Sequence, residues 1–140
     1  MNVLILEDEN RAANHLQRLI AAVAPEMKVI SVFETVRDTL EFLKTNPAIS
    51  LVFSDVQLAD GLSFEIFRQL EVTCPIIFTT AYDEYAIKAF KVNSIDYLLK
   101  PVDLEGLVQA LDKYSRMNTR SIKDNKDVQA AGKMLSRGYK

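Results

Sequence analysis

The chain has 140 residues, is 49% hydrophobic and carries a formal net charge of −2, which suits one ordinary domain with a real core. No apolar run approaches the roughly 18 residues of a bilayer span, and the opening MNVLILEDEN lacks the basic start and cleavage site of a secretory signal. A single cysteine, Cys74, excludes an internal disulfide, so a reducing cytoplasm with no membrane contact is the expected setting.

Val3-Leu4-Ile5-Leu6 reads as a buried strand. Asn10 to Val23 follows as a helix, with Ala13, Leu16, Leu19, Ile20 and Val23 at helical spacing, and Pro25 stops it. Val29 to Phe33 is the second strand, and Thr35 to Lys44 the second helix. Leu51-Val52-Phe53 is the third strand and Ser63 to Leu70 the third helix. Pro75 to Phe78 is the fourth strand, where a first-position proline is tolerated. A short fourth helix over 84–92, a fifth strand from Ser94 to Leu99 and a fifth helix from Leu104 to about Tyr114 complete the pattern.

Five strand–helix units predict an α/β fold with a doubly wound parallel sheet. Right-handed crossovers at this size favour the flavodoxin-like (βα)5 arrangement, with strand order 2-1-3-4-5. Apolar periodicity fades after Met117, so residues 1–117 are expected to form the domain and 118–140 a basic linker or tail. Residues 1–112 hold 9 Lys/Arg and 17 Asp/Glu, a sum of −8; residues 113–140 hold 8 and 2, a sum of +6. The tail lacks the aromatic interleaving of a specific nucleic-acid binder and reads as a solvated linker.

Ligands of open parallel sheets sit beyond the carboxyl ends of the strands. The sequence places Glu7, Asp8 and Glu9 after strand one, Asp55 after strand three, Thr79 and Thr80 after strand four, and Lys100 after strand five. Singly, each has a bland reading: acids near a helix N-terminus, a β-forming threonine, a solvated lysine. Together, the carboxylates would repel one another and raise each other's pKa, which a divalent cation resolves. An all-oxygen set suits Mg²⁺. A carboxylate can attack phosphorus as a nucleophile, and phosphoryl transfer needs mainly positioning and charge neutralisation. Asp55, at the end of a central strand, is the best-placed nucleophile; Lys100 adds positive charge and Thr80 a hydroxyl donor.

The stretches VLILEDE, VFSDVQLADG, FTTAYDEYAIKAF and SIDYLLKP resemble the receiver domain of bacterial two-component response regulators, and most of all its LytTR class. The resemblance spans about residues 1–117. It implies that Asp55 is the phosphoacceptor of a sensor histidine kinase, with Glu7 and Asp8 as the acidic pair. It further implies that the backbone carbonyl of Gln57 is a metal ligand, that Thr80 and Tyr97 are the switch pair, and that Lys100 pairs with the phosphoryl group. The Lys100-Pro101 peptide is expected to be cis on the same ground. Such a chain is a signalling receiver, not an enzyme with a separate substrate; it catalyses only its own phosphorylation and dephosphorylation. A homodimer through the fourth helix, fifth strand and fifth helix is implied, on a face with Tyr85, Lys88, Lys91, Asp96, Tyr97 and Asp112. DNA would be reached only through an output domain that is absent here.

Two positions depart from the family pattern. Glu7 stands where Asp is frequent, and Ala59 where the loop often has Pro; neither removes a functional group. A haloacid-dehalogenase-type phosphatase would carry a second Asp where Gln57 stands, and a flavodoxin would not place Glu7-Asp8-Glu9 beside a phosphate. His15 is expected on the surface of the first helix, and Cys74 as a small buried residue beside Pro75.

Overall fold

A computed structural model describes residues 1–81 and 94–131, with side chains over 1–81 and 96–117. The expected fourth helix, with Tyr85, Lys88 and Lys91, lies outside the described residues.

The main sheet has five strands: β1 (Asn2–Leu6), β2 (Lys28–Phe33), β3 (Leu51–Asp55), β4 (Ile76–Thr80) and β5 (Ser94–Leu99). All pairings are parallel and the order is β2-β1-β3-β4-β5, as expected. The period of two along each strand splits the core into two layers. Val3, Ile5, Leu51, Phe53, Ile77 and Leu98 face one side, where they meet Leu16 and Ile20 of helix α1 (Asn10–Val23) and Leu107, Ala110 and Tyr114 of the C-terminal helix (Leu104–Ala131). Leu4, Leu6, Val52, Ile76 and Phe78 face the other. There they meet Val36 of α2 (Val36–Leu43) and Phe64 and Ile66 of α3 (Phe64–Gln69). Phe53 and Ile77 are fully buried, so truncating either to Ala would cost about 2–5 kcal/mol.

The helix ends follow from local chemistry. Ala24 closes α1 through its N–H to Ile20 O at 2.7 Å, one residue before Pro25. Thr35 caps α2 by accepting from the Asp38 N–H at 3.0 Å. That helix unwinds into Asn46, which has a φ of 62°, a conformation asparagine tolerates better than most residues.

Asp60, on the loop after β3, reaches the same end of α2. Its carboxylate accepts from the Val36 N–H at 2.6 Å and the Arg37 N–H at 3.1 Å. The loop is also tied by the Ala59 N–H to Glu34 O at 3.1 Å. It folds as a two-residue antiparallel hairpin, Gln57–Leu58 against Gly61–Leu62, that periodicity did not foretell. Gly61 has a φ of 151°, which side-chain-bearing residues rarely adopt.

The C-terminal helix corrects the expectation of an end near Tyr114: it continues to Ala131. No proline or glycine occurs between Leu107 and Ala131, and Arg116 pairs with Asp112 at 3.1 Å one turn apart. Fading apolar periodicity after Met117 did not mark the end of the helix. The Lys100-Pro101 peptide is cis, as expected. Among the described residues, no helix is long and apolar enough to cross a membrane.

Candidate functional site

The polar residues of the cleft enter where the apolar strands stop. β1 ends at Leu6 and hands over to Glu7 and Asp8, β3 ends on Asp55, β4 on Thr80, and β5 at Leu99 hands over to Lys100. Asp55 is in register with Thr79, and Thr80 with Leu99. Glu7 is fixed at its root by its N–H to Phe33 O at 2.9 Å.

The structure brings Glu7, Asp8, Asp55 and Lys100 together. One carboxylate oxygen from each acid lies within 4.8 Å of the others. Glu7 and Asp55 are only 4% and 8% exposed, while Asp8 is open to solvent. Lys100 Nζ donates to Glu7 Oε1 at 2.7 Å and to Asp55 Oδ2 at 2.9 Å. The remaining oxygens are partly met by backbone: Glu9 N–H to Glu7 Oε2 at 3.2 Å, and Gln57 N–H to Asp55 Oδ1 at 3.4 Å.

These surroundings shift two groups. Burial pushes the Glu7 carboxyl above its ordinary value; Lys100 opposes this, but the Asp55 charge adds to it. Burial would lower the Lys100 ammonium, but its bonds to Asp55 and Glu7 outweigh that and hold it above its ordinary value. Three carboxylates against one ammonium leave excess negative charge in a largely buried cleft. That donor set is all oxygen, so Glu7, Asp8 and Asp55 could hold a hard divalent cation such as Mg²⁺. Gln57 follows two residues after Asp55, at the start of the small hairpin.

Thr80 is fully buried at the end of β4, and its carbonyl accepts from the Lys100 N–H at 2.8 Å. Tyr97 sits further back, in register with Phe78, and packs partly buried against the layer that contains Phe78. It is not part of the acidic group. Asp96 Oδ1 accepts from the Tyr97 N–H at 2.8 Å, and Asp96 Oδ2 pairs with Lys113 at 3.4 Å. Two acids of the expected dimer face, Asp96 and Asp112, thus have basic partners within the chain. Cys74 is half-buried rather than buried, and its thiol is pushed up to about 11 by burial.

One contact was not foreseen. His15, expected on the surface of α1, is half-buried, and its Nε2 lies 2.6 Å from Val102 O. It lines a cavity of about 450 Å³ beside the cleft, with Glu7, Ala12, Leu16, Lys100 and Val102 among its walls. Its one signal in the sequence is its place between Ala13 and Leu16, beside the buried stripe of α1. Nothing local announces a partner 87 residues away.

Comparison with known proteins agrees with this geometry. The family model of the response regulator receiver domain matches residues 3–112. The chain is 37% identical over 134 residues to "Sensory transduction protein LytT" of Bacillus anthracis, covering 94% of this chain and 54% of that protein. It is 32% identical over 142 residues to "Transcriptional regulatory protein LytR" of Staphylococcus aureus (strain N315), covering 99% and 56%. The chain therefore spans about half the length of the curated relatives it matches. Among solved structures, the response regulatory domain of protein mrkE from Klebsiella pneumoniae aligns with a TM-score of 0.70 at 31% identity, covering 83% of this chain and 96% of that one.

Proposed function

This chain belongs to the response regulator receiver domain family, and on that footing we propose that its cleft is a phosphoacceptor site with Asp55 as the nucleophile. The donor is the phosphohistidine of a sensor histidine kinase. An Asp55 carboxylate oxygen forms the new bond to phosphorus as the bond from phosphorus to the imidazole nitrogen breaks. The electron pair leaves with the imidazole.

The observation that carries this reading is the Lys100 ammonium, held 2.9 Å from Asp55 Oδ2 where three carboxylates converge. Lys100 pairs with Asp55 and stands ready to pair with a phosphoryl oxygen. Glu7, Asp8, Asp55 and the Gln57 carbonyl would hold Mg²⁺, which when bound offsets the charge of the acids and of the phosphoryl oxygens. Thr80 supplies a hydroxyl donor to a phosphoryl oxygen, and Tyr97 answers its movement.

On this reading the chain is a switch that catalyses only its own phosphorylation and dephosphorylation, in the cytoplasm. Residues 1–117 are the receiver, and 118–140 lead toward a DNA-binding output. The signal is a homodimer through the face that carries Asp96, Tyr97 and Asp112. Sedimentation with and without beryllofluoride checks the pairing; a monomer at high concentration in both states overturns it.

The chemistry is tested with acetyl phosphate and Mg²⁺. One phosphoryl group should be added, labile to hydroxylamine as an acyl phosphate is, and Asp55→Asn should not acquire it. Full labelling of Asp55→Asn would move the nucleophile elsewhere.

A further inference from the structure

We infer that His15 is a positioning residue for Lys100 and sets how fast Asp55 accepts a phosphoryl group; this rests on the phosphoacceptor reading and deepens it. A carbonyl oxygen only accepts, so the 2.6 Å contact to Val102 O requires a hydrogen on His15 Nε2. Neutral and charged imidazole can both meet that requirement. The bond joins the middle of α1 to the residue two places beyond Lys100.

The neighbouring backbone shows what the bond controls. Before Pro101, the Lys100 N–H is held by Thr80 O at 2.8 Å. After Val102, Asp103 starts the C-terminal helix: its carboxylate accepts from the Gly106 N–H at 2.7 Å, and its carbonyl from the Leu107 N–H at 3.1 Å. Between these anchors stands Pro101, which has no N–H to give, and then Val102. The Val102 side chain is buried in the layer under α1, which fixes its depth; the bond from His15 fixes the direction of its carbonyl.

Lys100 has a flexible stem and divides its ammonium between Glu7 and Asp55. Where that ammonium can reach depends on where its backbone stands. Phosphoryl transfer requires it to follow an incoming oxygen, and small errors of position are costly in rate. α1 follows directly on the loop that carries Glu7 and Asp8. His15 thus ties the lysine to the same scaffold as the acids it must work beside.

The test uses the 140-residue chain with His15→Leu, which keeps apolar bulk without a donor, and His15→Gln, which restores an amide donor. Three quantities are measured: the initial rate of labelling by acetyl phosphate with Mg²⁺, the Mg²⁺ affinity and the thermal midpoint. The loss of one hydrogen bond predicts labelling roughly three- to tenfold slower in His15→Leu. Mg²⁺ affinity should not fall, because Lys100 is no ligand and only competes for the acids, and His15→Gln should recover most of the rate. A wild-type rate in His15→Leu overturns the inference. So does a slow His15→Gln, or a loss of Mg²⁺ affinity and midpoint along with the rate, which marks a general packing role. A wild-type chain that takes no phosphoryl group overturns the phosphoacceptor reading itself.

Discussion

The Lys100 ammonium lies 2.9 Å from Asp55 Oδ2, and the pair spans β4, the strand that separates their own strands in the sheet. Lys100→Met therefore removes the cation that balances two nearly buried acids. The side chain is 20% exposed, so screening tempers the loss, and about 1–2 kcal/mol of stability should go in metal-free buffer. Without the competing charge, Mg²⁺ should bind the variant more tightly and raise its melting midpoint more than that of wild type. Equal Mg²⁺-induced shifts in the two proteins would count against the shared-charge account.

The second prediction concerns metal and pH. Mg²⁺ needs ionised carboxylates, and burial holds Glu7 above its ordinary value. In the folded protein the proton thus competes at Glu7 at a higher pH than at an ordinary glutamate. Affinity should rise with pH until Glu7 is ionised and level off beyond that. Calorimetric titration across pH reads this directly. Asp8→Asn should weaken binding at every pH, and an affinity equal to wild type would remove Asp8 from the ligand set.

The Asp60 carboxyl is shifted in the opposite direction to that of Glu7. Burial would raise its carboxyl, but the Val36 and Arg37 N–H groups, its own N–H and the Arg37 guanidinium outweigh that and hold it below its ordinary value. A depressed carboxyl adds stability that is present above the unfolded-state value and is lost as pH falls through the folded one. Asp60→Ala should cost about 0.5–1 kcal/mol at neutral pH, the range of an exposed helix cap. The difference should close in acid, below the folded-state value. Urea denaturation at two pH values would reveal a pH-independent gap, and that outcome would reject the cap as its cause.

Thr80→Ala should still accept the phosphoryl group while failing to pass it on. The hydroxyl is buried at the end of β4, one strand from Tyr97, and a modest bias between two states suffices to move a population. With beryllofluoride, wild-type Tyr97 ring resonances should shift and the chain should pair. In Thr80→Ala both responses should shrink. Full wild-type shifts of Tyr97 in the variant would place the coupling elsewhere.

Strand order and the meeting of Glu7, Asp8, Asp55 and Lys100 were legible because parallel sheets obey strong rules. Once the apolar runs are ordered, their carboxyl ends have one edge to share. The Asp60 cap was not legible. An Asp before Gly satisfies a turn by itself, and its bonds to Val36 and Arg37 exist only after two loops have met. His15 fails for the same reason: its acceptor is a backbone carbonyl, which every residue has and no sequence pattern marks. The helix past Tyr114 was missed because periodicity measures burial, whereas propensity and the absence of breakers continue the helix.

The spread of the cleft along the chain also has a consequence in time. Glu7 belongs to the first strand–helix unit and Lys100 follows the last strand of the sheet. During synthesis, the acids emerge long before the lysine that balances them. A chain halted between β3 and β5 has Asp55 without its counter-charge and without the edge strand that leads to it. The assembled cleft therefore arrives with the end of the sheet, and an unfinished receiver lacks the place where the three acids and the lysine meet.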